Sequence, residues 1–185
     1  RGLRVGRVVR DPRNDRIVAT IQTDNNIGEI ETDGLDIEGS YAFGAGPAGD
    51  FQTTIQWTWV NDYELDEGDG NGLQDPRRFF GPDHRGTIGL NWALGDLGAN
   101  LLWHYIAGDS VEDFDGSTAS RIDDMSTWDL SVSYATPWNG LVTLGARNLF
   151  DEDPPTTIAI GPPYYSNYLH DVYGRVPYVR YEQDL

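Results

Sequence analysis

The feature that most constrains this fold is an alternation of apolar and polar residues that returns in segment after segment. In FQTTIQWTW (51–59), Phe51, Ile55, Trp57 and Trp59 share one face, whereas Gln and Thr fill the other. Successive side chains of a strand point to opposite faces, so this period of two predicts β-strands and not helices. The same period runs through three further segments: GLDIEGSYAF (34–43), GTIGLNWAL (86–94) and STWDLSVSYAT (126–136).

The connections between these segments alternate in length. Short turns rich in Gly, Pro and Asn occupy 44–50, 94–98 and 137–140, and long acidic stretches occupy 64–84, 107–125 and 151–171. This pattern predicts an antiparallel up-and-down sheet whose short connections share one end and whose long connections share the other. Eight strands are predicted, at about 16–23, 29–43, 50–64, 85–94, 98–107, 126–136, 140–150 and 172–182.

Two all-β architectures fit such strands. A soluble sandwich or lipocalin-like barrel turns its apolar face inward, and an outer-membrane barrel turns it toward lipid. The membrane architecture is favoured by aromatic residues near strand ends, amides and carboxylates in mid-strand, strands of about ten residues and the unequal loops. The apolar faces, with Trp57, Leu90, Leu130 and Val132, are then expected to lie outside, and Gln56, Asn91, Asp129 and Ser131 inside.

Composition removes several classes of function. The chain has 185 residues and a net charge of −17, which disfavours nucleic-acid binding because such affinity needs clustered cations. It has no cysteine, so disulfides, thiolate metal sites and a Cys nucleophile are excluded. No apolar run reaches the roughly 20 residues of a membrane helix. The opening RGLRVGRVVR lacks the apolar core of a signal peptide, so a mature product or a fragment is expected.

No catalytic residue, metal site or cofactor is predicted. His84, His104 and His170 lack the spacing of metal ligands, and they are expected to be polar residues of a lumen or rim. The acidic run 66–72 departs from the calcium-loop pattern and is expected to be a solvated loop that binds calcium loosely at most. Asp36 and Glu38 are expected to face a wet interior near an arginine such as Arg147, and Ser110, Ser117 and Ser120 lack a nucleophile context.

Two loop clusters are candidates for binding a substrate. Arg77 and Arg78 stand beside Phe79 and Phe80 in an otherwise acidic connection. Guanidinium groups bind carboxylates and phosphates, and aromatic rings stack on sugars or aromatic ligands. A loop that packs on its own rim is the alternative. Tyr164 and Tyr165 form a second, weaker aromatic candidate.

The last third of the chain resembles the C-terminal end of TonB-dependent outer-membrane receptors. Two short motifs carry the resemblance. The first is a strand that ends in Asn148, Leu149, Phe150 and Asp151 and is followed by Pro154 and Pro155, and the second is a closing strand that begins with Gly174 and Arg175. Segments 26–41 and 82–92 are also similar to strands of that family, so the likeness extends over nearly the whole chain from about residue 25.

The resemblance implies part of a receptor that takes up a scarce nutrient, such as a siderophore, cobalamin, an oligosaccharide or a peptide, across a bacterial outer membrane. It implies no enzyme activity, an energy-coupling TonB complex and a nutrient ligand as partners, and contact with the lipid bilayer. The loops 64–84, 107–125 and 151–171 are then expected outside the cell. Because 22 strands and a plug are usual for such transporters, residues 1–185 are interpreted as the C-terminal portion of an incomplete barrel without its plug.

Two other functions fit the same residues. A stand-alone eight-stranded outer-membrane barrel with a structural or adhesive role needs the first and last strands to pair. A soluble β-barrel or sandwich that binds a small ligand needs the apolar faces to meet in a closed interior.

Overall fold

The computed structural model describes residues 6–22, 28–66, 72–73, 81–112, 118–157, 162–167 and 169–183. These residues form antiparallel strands and one 3-10 turn at Gly46–Ala48. No helix within them is long and apolar enough to span a membrane. In chain order the strands are β1 Gly6–Arg10, β2 Ile17–Gln22, β3 Glu29–Gly44, β4 Asp50–Asp66, β5 His84–Leu94, β6 Leu97–Ile106, β7 Asp109–Glu112, β8 Thr118–Ile122, β9 Met125–Ala135, β10 Gly140–Arg147 and β11 Val176–Gln183.

Seven strands make one antiparallel sheet in the order β11-β10-β9-β6-β5-β4-β3. The sheet is therefore open, with β3 and β11 at its two edges, which confirms the prediction of an incomplete barrel. Pro177 lies in β11, where an edge position spares the ladder hydrogen bond that proline cannot donate. The predicted alternation of connections is also confirmed, since β5 and β6 join through only Gly95 and Asp96, and Gly95 has the positive φ of 58° that tight turns favour.

The number of strands in the sheet differs from the prediction by one. Residues 16–23 were expected to enter the sheet, but β2 pairs with β1 in a separate two-stranded sheet. The β1 segment was not among the predicted strands, although its Val-Val pair suits a strand. The long connection 107–125 likewise contains an unpredicted hairpin, β7–β8. β1, β7 and β8 are short and charged, so their alternation is too weak to identify from the sequence.

The chain forms two compact units, Arg1–Asp33 with Asn61–Pro76 and Gly34–Val60 with Arg77–Leu185. In the first unit, Asn61 Nδ2 donates a hydrogen bond of 3.0 Å to Asp33 Oδ2, and Thr32 Oγ1 donates one of 3.0 Å to the Asp62 carbonyl. The second unit contains the candidate site described below.

The strand register separates the residues into an apolar and a polar face. Leu101 lies opposite Leu90 on one side and Leu130 on the other, and Ser131 lies opposite Asn100. The predicted partition is therefore confirmed: Trp57, Leu90, Leu130 and Val132 share the apolar face, and Gln56, Asn91, Asp129 and Ser131 share the polar face. The expectation that the apolar face meets lipid stays a prediction.

Neither face is packed as the core of a soluble protein. Among the described residues, Met125 and Pro82 are the buried apolar side chains, and no large side chain is fully buried. On the apolar face, Leu90, Val132 and Leu144 are exposed by 39%, 47% and 57%. A soluble sandwich or barrel buries such side chains between layers, so the described sheet lacks the packing that a soluble architecture requires.

Aromatic side chains gather at both ends of the apolar face. At the end of the long connections, the Trp57 ring lies 5.7 Å from Tyr105 and 6.2 Å from Trp103, which itself lies 6.1 Å from Trp128. At the end of the short turns, Phe43 stacks on Phe51 at 5.3 Å. The 11 residues of β5 span roughly 25 Å of height at the tilt of about 40° usual in barrels. That is the height of a lipid-facing band.

Candidate functional site

A row of polar side chains crosses the polar face near its long-connection end. Thr87, His104 and Thr127 occupy one register row, because Thr87 pairs with His104 and His104 with Thr127. His104 Nδ1 lies 3.2 Å from Thr87 Oγ1, and its Nε2 lies 3.4 Å from Asp129 Oδ2. The row therefore places an imidazole between a hydroxyl and a carboxylate on three adjacent strands.

Asn148 ends β10 and connects this row to the next connection. Its backbone N–H donates to Asp129 Oδ1 at 2.9 Å, and its side chain bonds both the N–H and the carbonyl of Glu152. Asn148 has a φ of 47°, a left-handed conformation that asparagine tolerates better than most residues. β10 was predicted to continue to residue 150, and it stops at Arg147 because Asn148 turns the backbone out of the ladder.

Asp151 holds the approach to the last strand. Its Oδ1 accepts a hydrogen bond of 2.6 Å from the backbone N–H of Arg175. A Cβ on Gly174 would lie 2.6 Å from the same oxygen, so a side chain at this position would displace the carboxylate. The last strand was predicted from residue 172 and begins at Val176, because 171–175 lies in this capped approach and not in the ladder. Four of the motif residues, Asn148, Asp151, Gly174 and Arg175, thus form one turn-and-cap unit.

The remaining motif residues lie beside this unit. Leu149 donates its backbone N–H to the Trp128 carbonyl at 2.6 Å, which ties the turn to β9. Phe150 is 67% exposed. Pro154 and Pro155 are half-buried and follow the turn. Because proline has no N–H group to donate, they cannot extend the hydrogen-bonded ladder of β10.

A cavity of about 570 Å³ opens on the polar face between the ends of β6, β9 and β10 and the segment 169–174. Its charged and titratable lining comes from all of these elements. Apolar side chains complete the wall, among them Ile106, Leu169 and Val176. The polar lining residues are His104, Thr127, Asp129, Arg147, Asn148, His170 and Asp171.

His170 is the most enclosed of these groups. It is 7% exposed, and its buried Nδ1 has no hydrogen-bond partner within the described part of the chain. Burial lowers the pKa of His170 below its ordinary value, because the charged imidazolium loses hydration there. The ring is therefore neutral at pH 7.

The carboxylates of the cavity already have partners, and the guanidinium does not. Asp129 Oδ1 accepts the Asn148 N–H, its Oδ2 lies 3.4 Å from His104 Nε2, and Asp171 accepts the Tyr173 N–H at 3.1 Å. Arg147 is exposed and forms no ion pair or hydrogen bond with any residue that the structure describes. It was expected to meet Asp36 and Glu38, but four strands separate β10 from β3 in the sheet, so that expectation is wrong.

The predicted substrate candidates stand apart from this cavity. Arg77, Arg78, Phe79 and Phe80 lie outside the described residues, so their role stays a prediction. Tyr164 is 48% exposed with a positive φ of 71°, and its carbonyl accepts the Thr157 N–H at 2.6 Å. Tyr165 is half-buried. Neither tyrosine lines the cavity, and no finding tests their binding of a substrate.

The three histidines have separate surroundings. His84 stacks on Trp59 at 6.1 Å on the apolar face, whereas His104 and His170 line the cavity. In the described ranges no three His, Asp or Glu side chains are grouped to hold a metal ion. The acidic run 66–72 lies mostly outside those ranges, so loose calcium binding there is untested.

Sequence reasoning missed the convergence of Arg147, Asp129 and His170. Arg147 and Asp129 are 18 positions apart, and His170 comes from a connection without periodicity. The pairing of Ala146 with Leu130 in β9 and β10 is what brings the first two together. A strand register derived from the alternation would have placed Arg147 and Asp129 side by side on neighbouring strands. Nothing in the sequence indicates that His170 joins them in the cavity.

Comparison with known families gives one match. Residues 6–149 match the family model described as TonB dependent receptor-like, beta-barrel. The matched range includes β1 to β10 and ends within the turn that follows Asn148. No curated protein matches the chain.

Proposed function

Because the chain belongs to the TonB-dependent receptor-like β-barrel family, we propose that its sheet is part of the wall of a bacterial outer-membrane receptor that imports a scarce nutrient. Siderophores, cobalamin, oligosaccharides and peptides are the candidate nutrients. The wall contributes a lipid-facing surface, a polar lumen and capturing loops. It performs no bond chemistry in this proposal.

The observation that carries the proposal is the contrast between the two faces of one sheet. A continuous apolar face remains exposed, while the opposite face carries amides, hydroxyls and charged groups. In water this arrangement is costly, since large exposed apolar patches drive association. In a bilayer the apolar face loses nothing, and the polar face lines a wet lumen.

The open edges support a longer barrel. β3 and β11 each have one strand neighbour in the sheet, and unpaired edge groups are not tolerated in hydrocarbon. We therefore propose that further strands complete the wall and that a plug and a TonB complex couple it to energy. The stand-alone eight-stranded barrel needs a ladder between 16–23 and β11, and β2 pairs instead with β1.

We further propose that the three long connections are extracellular. They share one end of the sheet, and outer-membrane barrels have long extracellular loops and short periplasmic turns. A Gly72→Cys variant tests this sidedness with a membrane-impermeant thiol reagent, since the chain has no cysteine of its own. Labelling in intact cells is expected. A thiol that reacts only after lysis would reverse the topology.

The function itself is tested by uptake in whole cells. A strain that lacks the receptor is grown on single sources drawn from the four nutrient classes, with and without a protonophore. One class is expected to fail in the deletion strain, and uptake of that nutrient should stop when the protonophore removes the energy supply. Growth and uptake that are unchanged on every source would overturn the proposal.

The cationic-aromatic loop is tested in the same strain. Replacing Arg77 and Arg78 together by Ala is expected to weaken uptake while the receptor still assembles in the outer membrane. Arg121→Ala, in the neighbouring long connection, is the matched control. Normal uptake by the double variant would remove these residues from the capture site.

A further inference from the structure

The cavity beneath segment 169–174 contains a cation with no partner in the described chain. Arg147 stands at the end of β10, and the residue after it is fixed by the bond between the Asn148 N–H and Asp129. The backbone at Arg147 is therefore held in place while its guanidinium stays free. The guanidinium of an Arg is a planar fork of donors that fits a carboxylate with two parallel hydrogen bonds.

The other charged groups of the cavity form no ion pair with Arg147 among the described residues. Asp129 Oδ1 accepts the Asn148 N–H, and Asp129 Oδ2 lies 3.4 Å from His104 Nε2. Asp171 is turned to the Tyr173 N–H of its own segment. His170 is neutral at pH 7, because burial lowers its pKa. Neither carboxylate of the cavity forms an ion pair with Arg147 within the described part of the chain, so the guanidinium remains available to a ligand.

The lining also includes an apolar wall, and the cavity has a suitable size. Ile106, Leu169 and Val176 contribute hydrocarbon from three elements. The volume of about 570 Å³ lies within the range of roughly 300–1,000 Å³ typical of small-molecule sites. These side chains fit the apolar body of a ligand whose polar group is held by Arg147.

We propose that this cavity binds a small solute through a carboxylate held by Arg147, with the apolar remainder of the solute against Leu169 and Val176. The inference rests on the proposed function, because it names a chemical class for cargo that reaches the lumen. A single carboxylate is favoured over a multiply charged anion, since the chain carries a net charge of −17 and one guanidinium cannot offset the repulsion.

Three fluorinated probes of nearly equal shape test the inference. They are 4-(trifluoromethyl)benzoate, the corresponding benzamide and the corresponding benzylamine, titrated by ¹⁹F NMR into the receptor purified from outer membranes in detergent. The benzoate is expected to bind at least about tenfold more tightly than the other two, because a charge-assisted pair is worth more than about 1.5 kcal/mol. Equal binding of the benzamide or stronger binding of the benzylamine would overturn the proposal.

Variants locate the binding in the cavity. Arg147→Gln is expected to weaken benzoate binding about tenfold to a hundredfold. Arg180→Gln is the matched control, because Arg180 lies on the same face four residues beyond Val176 and pairs with Glu182. Unchanged affinity in Arg147→Gln, or an equal loss in the control, would refute the site.

A second pair of variants covers misfolding of Arg147→Gln. Thr127→Asp adds a carboxylate to the cavity wall, where it should pair with Arg147 and displace the probe, whereas Thr127→Asn should bind benzoate as the parent does. Affinity retained in Thr127→Asp would contradict the proposal. These titrations need no energy coupling. Failed binding with intact nutrient uptake therefore refutes this inference alone, and intact binding without any uptake refutes the proposed function.

Discussion

The apolar and polar faces of the sheet are made by the same strands, but they are held in different ways. Leu90, Leu101 and Leu130 form a row across three strands that contributes apolar surface area and no directed bonds. The polar face forms specific cross-strand hydrogen bonds, such as the 2.7 Å bond that Asn100 donates to Asn91. The apolar face therefore requires a surrounding medium, and the polar face requires particular partners.

This difference increases toward the end with the long connections. In mid-sheet the polar bonds join single pairs, as between Gln52 and Ser40. Near the cavity they form a chain, from Thr87 through His104 and Asp129 to Asn148. A substitution on the apolar face should thus change the stability of the folded protein through the free energy of placing the new side chain in lipid. A substitution on the polar face should change stability only where such hydrogen bonds are lost.

The largest effect is expected from a charge placed on the apolar face. Leu130→Arg should destabilise the folded receptor in phospholipid vesicles by about 2–4 kcal/mol, the cost of Arg at the bilayer midplane. Ser131→Arg, one position along, faces the opposite side and should change stability by less than about 1 kcal/mol. Urea titration of both variants measures the difference. Equal losses would break the contrast between the faces.

The next largest effect is expected at the turn after β10. Asn148→Ala loses two side-chain bonds and places in left-handed backbone a residue that tolerates it less well than asparagine, so a loss of about 2–4 kcal/mol is expected. Asn148→Gly loses the same bonds without the backbone strain and should be about 1 kcal/mol more stable than the Ala variant. The same titration ranks them. A Gly variant no better than Ala would show that backbone conformation contributes little.

A smaller effect is expected from pH at segment 169–174. The folded-state pKa of His170 is lowered by burial, so the undocked segment binds the proton more readily. Docking should be complete above the ordinary His pKa of about 6.5 and should weaken as pH falls from there toward the folded-state value. His104, Asp129, Arg147 and Asp171 also line the cavity and share its field.

Hydrogen exchange at residues 169–174, at pH 7.5 and pH 5, measures this docking after correction for intrinsic rates. Protection should fall at pH 5 in the parent protein. His170→Asn cannot be protonated, so its protection should be the same at both pH values. A pH effect that persists in the variant would assign the titration to another lining group.

The smallest effect is expected from Arg180 and Glu182, which form an ion pair on the polar face of β11. Their side chains are 63% and 49% exposed, so solvent screens the pair and its worth is at most about 1 kcal/mol. Glu182→Gln should therefore be close to the parent in the urea titration. A larger loss would mean that polar contacts matter along the whole face and not mainly at the cavity.

The sequence sufficed for the faces and for most strands, because both follow from a local period. Leu130 and Ser131 could be assigned to opposite faces from their own neighbours. The ends of β10 and β11 could not, since Asn148 and Asp151 set them through bonds to Asp129 and Arg175. Those bonds join residues 19 and 24 positions apart, and no short window contains both partners.

The cavity was beyond prediction for a related reason. The sequence motifs that resemble the family include Asn148 and Gly174, but they do not indicate that these residues line a cavity. Arg147 is an ordinary strand residue by period, and its importance comes from what it does not contact. The lack of an ion pair at Arg147 can be recognised only when the β9–β10 register and the position of segment 169–174 are both known.

The hairpin β7–β8 lies within the connection between β6 and β9, yet those two strands pair directly over ten positions. The intervening residues can therefore vary in length and content while the ladder on either side keeps its register. This connection can be lengthened or replaced with little loss of stability, since the entropic cost of closing a longer loop grows only slowly with its length. The strands on either side can therefore be inherited intact while the connection between them changes.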